Sequence, residues 1–154
     1  MQLFLFGAPA EWAYISHRGG DSNSMGDANP KETFGYVARE LKKRNISFIF
    51  VRERQGARYL TPCLKAEFGG KVIANEVLTP ELAEQMVSNG TADLVSFGML
   101  YIANPDLVER MQTHRTLNKV NVSTIHGSGV KGYTDYPKMD SEVTPREKSF
   151  SEPI

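Results

Sequence analysis

A chain of 154 residues is one domain's worth of material, and at this size folding takes roughly 68–70% of the unfolded surface out of water. Apolar residues at 40% and charged residues at 23% mark a globular sequence rather than a disordered one. Eighteen basic residues balance 18 acidic ones, which removes the electrostatic ground for expecting nucleic acid or an anionic membrane as partner. Cys63 stands alone, so neither an intrachain disulfide nor a cysteine-rich zinc site is expected, and a reducing, cytoplasmic setting fits. The apolar run Leu3–Phe6 is far shorter than the roughly 7–15 residues of a signal-peptide core. Without a secretory signal, the sequons at Asn45, Asn89 and Asn121 are read as coincidental. No stretch approaches the ~20 apolar residues of a membrane span.

In chain order, Trp12–Ile15 is a short apolar strand candidate, followed by a Gly/Ser/Asp-rich loop from Gly19 to Asn29. Pro30 then opens a helix, in the first turn where its missing N–H is harmless. Phe34, Val37, Ala38 and Leu41 form one apolar stripe, and Lys42, Lys43 and Arg44 suit the last turn. Ile46–Val51, apolar on both faces, predicts a buried parallel strand. A less regular helical piece spans Arg58–Phe68 and stops at Gly69-Gly70, before a strand at Lys71–Ala74. Thr79-Pro80 starts a helix with Leu82, Met86 and Val87 inward and Gly90 as its stop. Leu94–Phe97 is the last strand. Asn104-Pro105-Asp106 then caps a helix with Leu107, Val108 and Met111 inward.

The resulting order βαβαβαβα predicts a parallel sheet with right-handed crossovers. Four such units make half of a TIM (β/α)8 barrel, whose complete form needs ~250 residues. An open doubly wound sheet is the competing α/β architecture, and periodicity does not separate the two. The half-barrel is expected to occupy residues 1–137, and a polar, flexible tail residues 138–154.

Specific motifs favour the barrel. Tyr101-Ile102-Ala103-Asn104-Pro105-Asp106-Leu107-Val108 resembles the end of the final barrel unit of the Old Yellow Enzyme family, which includes N-ethylmaleimide reductases. Leu117-Asn118, His126-Gly127-Ser128-Gly129 and Gly132-Tyr133-Thr134-Asp135-Tyr136-Pro137 are similar to its closing segment, in order and spacing. Asp27-Ala28-Asn29-Pro30 and Phe50-Val51-Arg52-Glu53 resemble earlier parts of the same C-terminal half.

The resemblance implies a barrel holding FMN at the C-terminal mouth of its strands. NAD(P)H reduces the flavin, which passes hydride to an activated alkene. The family's substrate-gripping histidine pair (or His-Asn) and its proton-donating tyrosine belong to the other half, so no catalytic residue is assigned here, and no metal ligand. Of the flavin contacts, Gly98 and Tyr136 match. The arginine of the family's Arg-Leu-Ser-Pro strand falls at Ile15, the glycine-rich phosphate turn at Asn75 and Glu76, and the phosphate-binding arginine at Met99. Glu76 brings a negative charge where bare N–H groups would cradle a phosphate.

Other residues read more simply. His17 and Arg18, at a strand-to-loop junction, are a solvated strand end or a replacement anion site. His126 lacks the partners of a nucleophile site, and Cys63 beside Leu60 and Leu64 reads as a small buried hydrophobe. Asp27, Asp106 and Asp135 read as turn and cap residues. Function then divides. One reading is a chain that is not catalytic by itself, retaining the fold after flavin binding has lapsed. The alternative is an FMN oxidoreductase completed by a complementary half-barrel or by dimerisation. Either leaves open strand edges, so a homo-oligomer or a complementary half is the expected partner.

Overall fold

The computed structural model describes residues 11–16, 28–54, 59–76, 78–125 and 129–139. His17, Arg18, Asp27, His126 and residues 140–154 of the expected tail lie outside the described residues. The chain divides into two compact units, Met1–Phe97 and Gly98–Ile154.

The first unit contains β1 (Trp12–Ser16), α1 (Pro30–Lys43), β2 (Phe48–Arg52), α2 (Thr61–Phe68), β3 (Lys71–Asn75), α3 (Pro80–Ser88) and β4 (Leu94–Val95). All strand pairs are parallel and the sheet order is β1-β2-β3-β4. That sequential order settles what periodicity left open. A doubly wound sheet reverses its strand order at a switch point, whereas a barrel adds each strand beside the last. The fold is an α/β half-barrel.

Among the described residues, the sheet's buried side chains lie on one face. Side chains alternate along a strand, and Ile15, Ile49, Val51, Val72 and Ala74 all face the helices, within two clusters that also contain Ala38, Leu64, Phe68 and Met86. The expectation that β2 is buried on both faces is therefore corrected. Phe48 and Phe50 are half-buried, stacked on Trp12 and Tyr14 at ring separations of 6.1 and 5.4 Å.

Local chemistry fixes the helices. Thr79 caps α3 by accepting the Leu82 N–H at 3.2 Å. In α3, Met86 is buried but Val87 is exposed, so Val87 is not on the inner face as its spacing suggested. α2 is capped from a distance: the buried Glu53 carboxylate accepts the N–H groups of Leu60 and Thr61 at 2.6 and 2.8 Å and the Thr61 hydroxyl at 2.7 Å. Gly69, at φ 70°, ends that helix in the left-handed region.

The second unit holds α4 (Met99–Ala103) and α5 (Leu107–Gln112). The sequence reading had no helix at α4 and ran β4 to Phe97. Instead the strand is two residues long and Gly98 starts a helix at once. In α5 Leu107 is buried whereas Val108 is 60% exposed, a correction to its expected inward placement.

Asn104 and Asp106 do not cap α5 with their side chains. They pin the turn-rich segment that follows. Asn104 donates to the Leu100 carbonyl and accepts the Asn118 N–H, at 2.9 and 2.7 Å. The buried Arg110 bonds Asp106 at 2.7 Å and the carbonyls of Thr116 and Pro137 at 2.6 and 3.0 Å. Asp106 also accepts the Met139 N–H at 2.7 Å. Asp135 fulfils its expected turn role by accepting the Gly132 N–H at 2.6 Å. Among the described residues, no helix is long and apolar enough to cross a membrane.

Candidate functional site

In a parallel sheet fed by crossover helices, function gathers at the C-terminal ends of the strands. There, strand register sets Ser16 beside Arg52 and Arg52 beside Asn75, all on the face away from the helices. The row is polar, unlike the aromatic rows beneath it.

Asn75 is tied down. Its amide nitrogen donates to the carbonyl and the hydroxyl of Ser96 at 2.9 and 2.8 Å, linking the end of β3 to the residue after β4. Glu76 follows at φ 92°, a backbone region that favours glycine. Its side chain is only 6% exposed and meets two arginines: Arg54 donates to Oε1 at 3.2 Å, and Arg52 Nε lies 3.3 Å from Oε2. The Arg52 contact is an ion pair without hydrogen-bond alignment, leaving the buried Oε2 with no hydrogen-bond partner among the described residues. The turn thus keeps the backbone conformation a glycine would supply but fills it with an anion.

Ile15 requires a correction. It is 4% exposed and packed in the helix-side core, so it does not face the open side of the sheet where a flavin-facing arginine would project. The neighbour that does is Tyr14, half-exposed and stacked on Phe50. Because strand side chains alternate, a displacement of one residue exchanges the two faces.

Gly98, Met99 and Tyr136 belong to the second unit. Gly98 is exposed at φ −93°, and a Cβ there would meet nothing within 4 Å among the described residues. Met99 is the first residue of α4 and half-exposed, a neutral thioether without a guanidinium's donors. The Tyr136 hydroxyl accepts the Asn121 N–H at 2.9 Å, which commits it to the local turn. Cys63 is half-buried rather than buried, bordering a cleft with Asn29, Lys31 and Tyr59.

The sequence reading overlooked Arg52 and Arg54 as the partners of Glu76. Their signal was present: in Arg52-Glu53-Arg54 the alternation at a strand end sends both arginines to one side and Glu53 to the other.

No family model matches the chain. Among curated proteins, it is 37% identical over 117 residues to a 12-oxophytodienoate reductase-like protein of Solanum lycopersicum, covering 74% of this chain and 33% of that protein. It is 34% identical over 130 residues to 12-oxophytodienoate reductase 2 of Arabidopsis thaliana, with 79% and 35% covered. A Leishmania infantum protein named "Probable flavin mononucleotide-dependent alkene reductase" is 33% identical over 120 residues, with 76% and 33% covered. The chain spans about a third of the length of these relatives.

Among solved structures, the old yellow enzyme homologue of Zymomonas mobilis superposes with a TM-score of 0.74 at 30% identity, over 82% of this chain and 38% of that one. The old yellow enzyme of Trypanosoma cruzi gives 0.69 at 28% identity, over 73% and 31%. Sequence relatives and fold neighbours agree, and over the stretch it covers this chain belongs to the Old Yellow Enzyme family.

Proposed function

We propose that this chain is the C-terminal half of an Old Yellow Enzyme-like barrel whose hold on FMN has lapsed, so that the 154 residues do not by themselves reduce alkenes. The family activity behind this reading is FMN-dependent, NAD(P)H-driven reduction of an activated alkene. The observation that carries it is Glu76: a buried carboxylate in the turn that would cradle the flavin phosphate. The Glu76 side chain, held by Arg52 and Arg54, fills that turn, so the N–H groups a phosphate dianion needs would lie beneath a Cβ and a carboxylate. By sequence correspondence, the family's phosphate-binding arginine is replaced by the neutral Met99. A charge-assisted hydrogen bond contributes ~1.5–3 kcal/mol, so losing a bidentate arginine weakens binding by a factor of ten or more at about 1.4 kcal/mol per tenfold.

FMN titration tests this directly, followed by flavin fluorescence and by co-elution in gel filtration. The expected result is no saturable quenching and flavin eluting apart from protein. Saturation at one flavin per chain, retained through the column, would overturn the reading.

The second reading is an active FMN oxidoreductase completed by a complementary half-barrel or a second copy. It draws support from the exposed aromatic face of Trp12 and Tyr14, which a completed barrel would bury. For both readings we place the chain in the cytoplasm, where the single thiol of Cys63 stays reduced.

A further inference from the structure

We propose that Asn89 is a self-modification site, where the Gly90 backbone nitrogen closes on the Asn89 side-chain amide, expels ammonia and leaves a succinimide that water opens to aspartate or isoaspartate. The inference rests on the turn between α3 and β4 and is independent of the flavin reading.

Asn89-Gly90 is the sole Asn-Gly pair in the chain. Elsewhere asparagine precedes proline, which has no N–H to react, or a residue whose side chain crowds the attacking nitrogen. At the end of α3 both Asn89 and Gly90 are exposed, and a Cβ built on Gly90 would meet nothing within 4 Å among the described residues. Gly90 takes φ 76°, in the left-handed region that glycine adopts freely. Asn89 Oδ1 accepts the Thr91 N–H at 2.9 Å. That oxygen gains negative charge as the ring closes, so Thr91 supplies the donor that the tetrahedral intermediate needs. The Gly90 N–H is held by the Val87 carbonyl at 3.2 Å, and fraying of this exposed helix end frees the nucleophile. In the step, hydroxide removes the Gly90 N–H proton and the bond from Gly90 N to Asn89 Cγ forms. The Cγ–Nδ2 bond of Asn89 breaks, and its nitrogen takes a proton from water and leaves as ammonia. Water then cleaves either carbonyl–nitrogen bond of the ring. Cleavage at Cγ gives aspartate, and cleavage at the main-chain carbonyl gives isoaspartate, which lengthens the connection to β4 by one methylene. Either product places a carboxylate at the negative end of the α3 dipole.

The test is incubation of the folded 154-residue chain in mildly alkaline buffer, read by ammonia release and by peptide mass spectrometry with enzymatic methylation of isoaspartate. Native chain, Gly90→Ala and Asn89→Gln are compared. In the native chain Asn89 is expected to convert at least tenfold faster than any other asparagine. Gly90→Ala should slow that conversion at least tenfold, because its Cβ crowds the nitrogen and strains the left-handed turn. Asn89→Gln keeps the amide but moves its carbonyl out of reach of a five-membered ring, so ammonia release should fall to that of the remaining asparagines. This second variant preserves the test should Gly90→Ala misfold. Conversion of Asn89 less than tenfold faster than the other asparagines overturns the proposal. So does ammonia release that Asn89→Gln leaves undiminished, because the amide lost would then lie elsewhere.

Discussion

A guanidinium placed at residue 15 would enter the helix-side core among Ala38, Ile49 and Leu64, where Ile15 is 4% exposed. Placed at residue 14 it would stand on the open face, where Tyr14 is half-exposed. The two substitutions therefore separate sharply. Ile15→Arg is expected to lose about 3 kcal/mol or more, the penalty of an unpaired buried charge. Tyr14→Arg is expected to lose about 1 kcal/mol, chiefly the stacking on Phe50. Urea denaturation of both variants checks this, and comparable losses would mean that the face assignment of β1 is wrong. Position 15 also shows where residue-level reading fails. The family motif located the strand, but at this divergence a register one residue out sends the inferred contact into the core. Glu76, by contrast, was legible as an intruding charge. Its neutralisation was not, since Arg52 and Arg54 reach it across strands that only the fold brings together.

At the scale of elements the sequence spoke most clearly where caps and punctuation agreed with periodicity. α1 and α3 begin at prolines, as read, and Gly90 follows the end of α3. β4 and α4 were less legible. Leu94–Phe97 looks like a full strand because its composition suits one, yet pairing stops at Val95 and the chain turns into a five-residue helix with no side-chain cap hydrogen bond to announce it. Val87 and Val108 were turned inward on spacing alone, although the apolar stripe of a short helix is too narrow to fix its edges.

Asp93 was not singled out at all, and it joins elements. It accepts the Val72 N–H at 2.9 Å and pairs with Lys65 and Lys71, both at 3.1 Å. Burial raises its carboxyl pKa, but the Val72 N–H and the two lysines together outweigh this and hold it below the ordinary aspartate value. A depressed folded-state pKa contributes stability that is fully present above the unfolded value, about 3.9, and is lost as pH falls through the folded one. Asp93→Asn is expected to lose about 1–2 kcal/mol at pH 7, with the exposed Lys71 contributing little. The gap to the native chain should narrow below about pH 4, where the native carboxyl takes up its proton. Thermal melts across pH 2–7 measure it, and a gap independent of pH would exclude Asp93 as the titrating group.

At the scale of the whole molecule the unresolved physics is the open side of the sheet. Among the described residues, β1 and β4 each pair on one edge only, at the two ends of the order β1-β2-β3-β4. The face between them carries Trp12, Tyr14 and Leu94 at 57, 51 and 55% exposure, with Phe48, Phe50 and Ile73 half-buried. Soluble proteins rarely leave both a free edge and a contiguous apolar face uncovered. Two copies related by a two-fold axis along the strands would meet edge to edge, keep every strand parallel, and supply the eight strands of a closed cylinder. The 154-residue chain is therefore expected to self-associate as a dimer or larger assembly in light scattering at micromolar concentration. A double substitution on the open face, Trp12→Glu with Phe50→Glu, should shift it towards monomer while circular dichroism keeps its helical signal, because neither side chain belongs to the helix-side core. If the native chain scatters as a clean monomer, the open face is stable in water as it stands and no partner need be sought to explain it. If it associates but the double variant does so equally, the contact lies elsewhere, and the exposed aromatic rows are not what brings copies together.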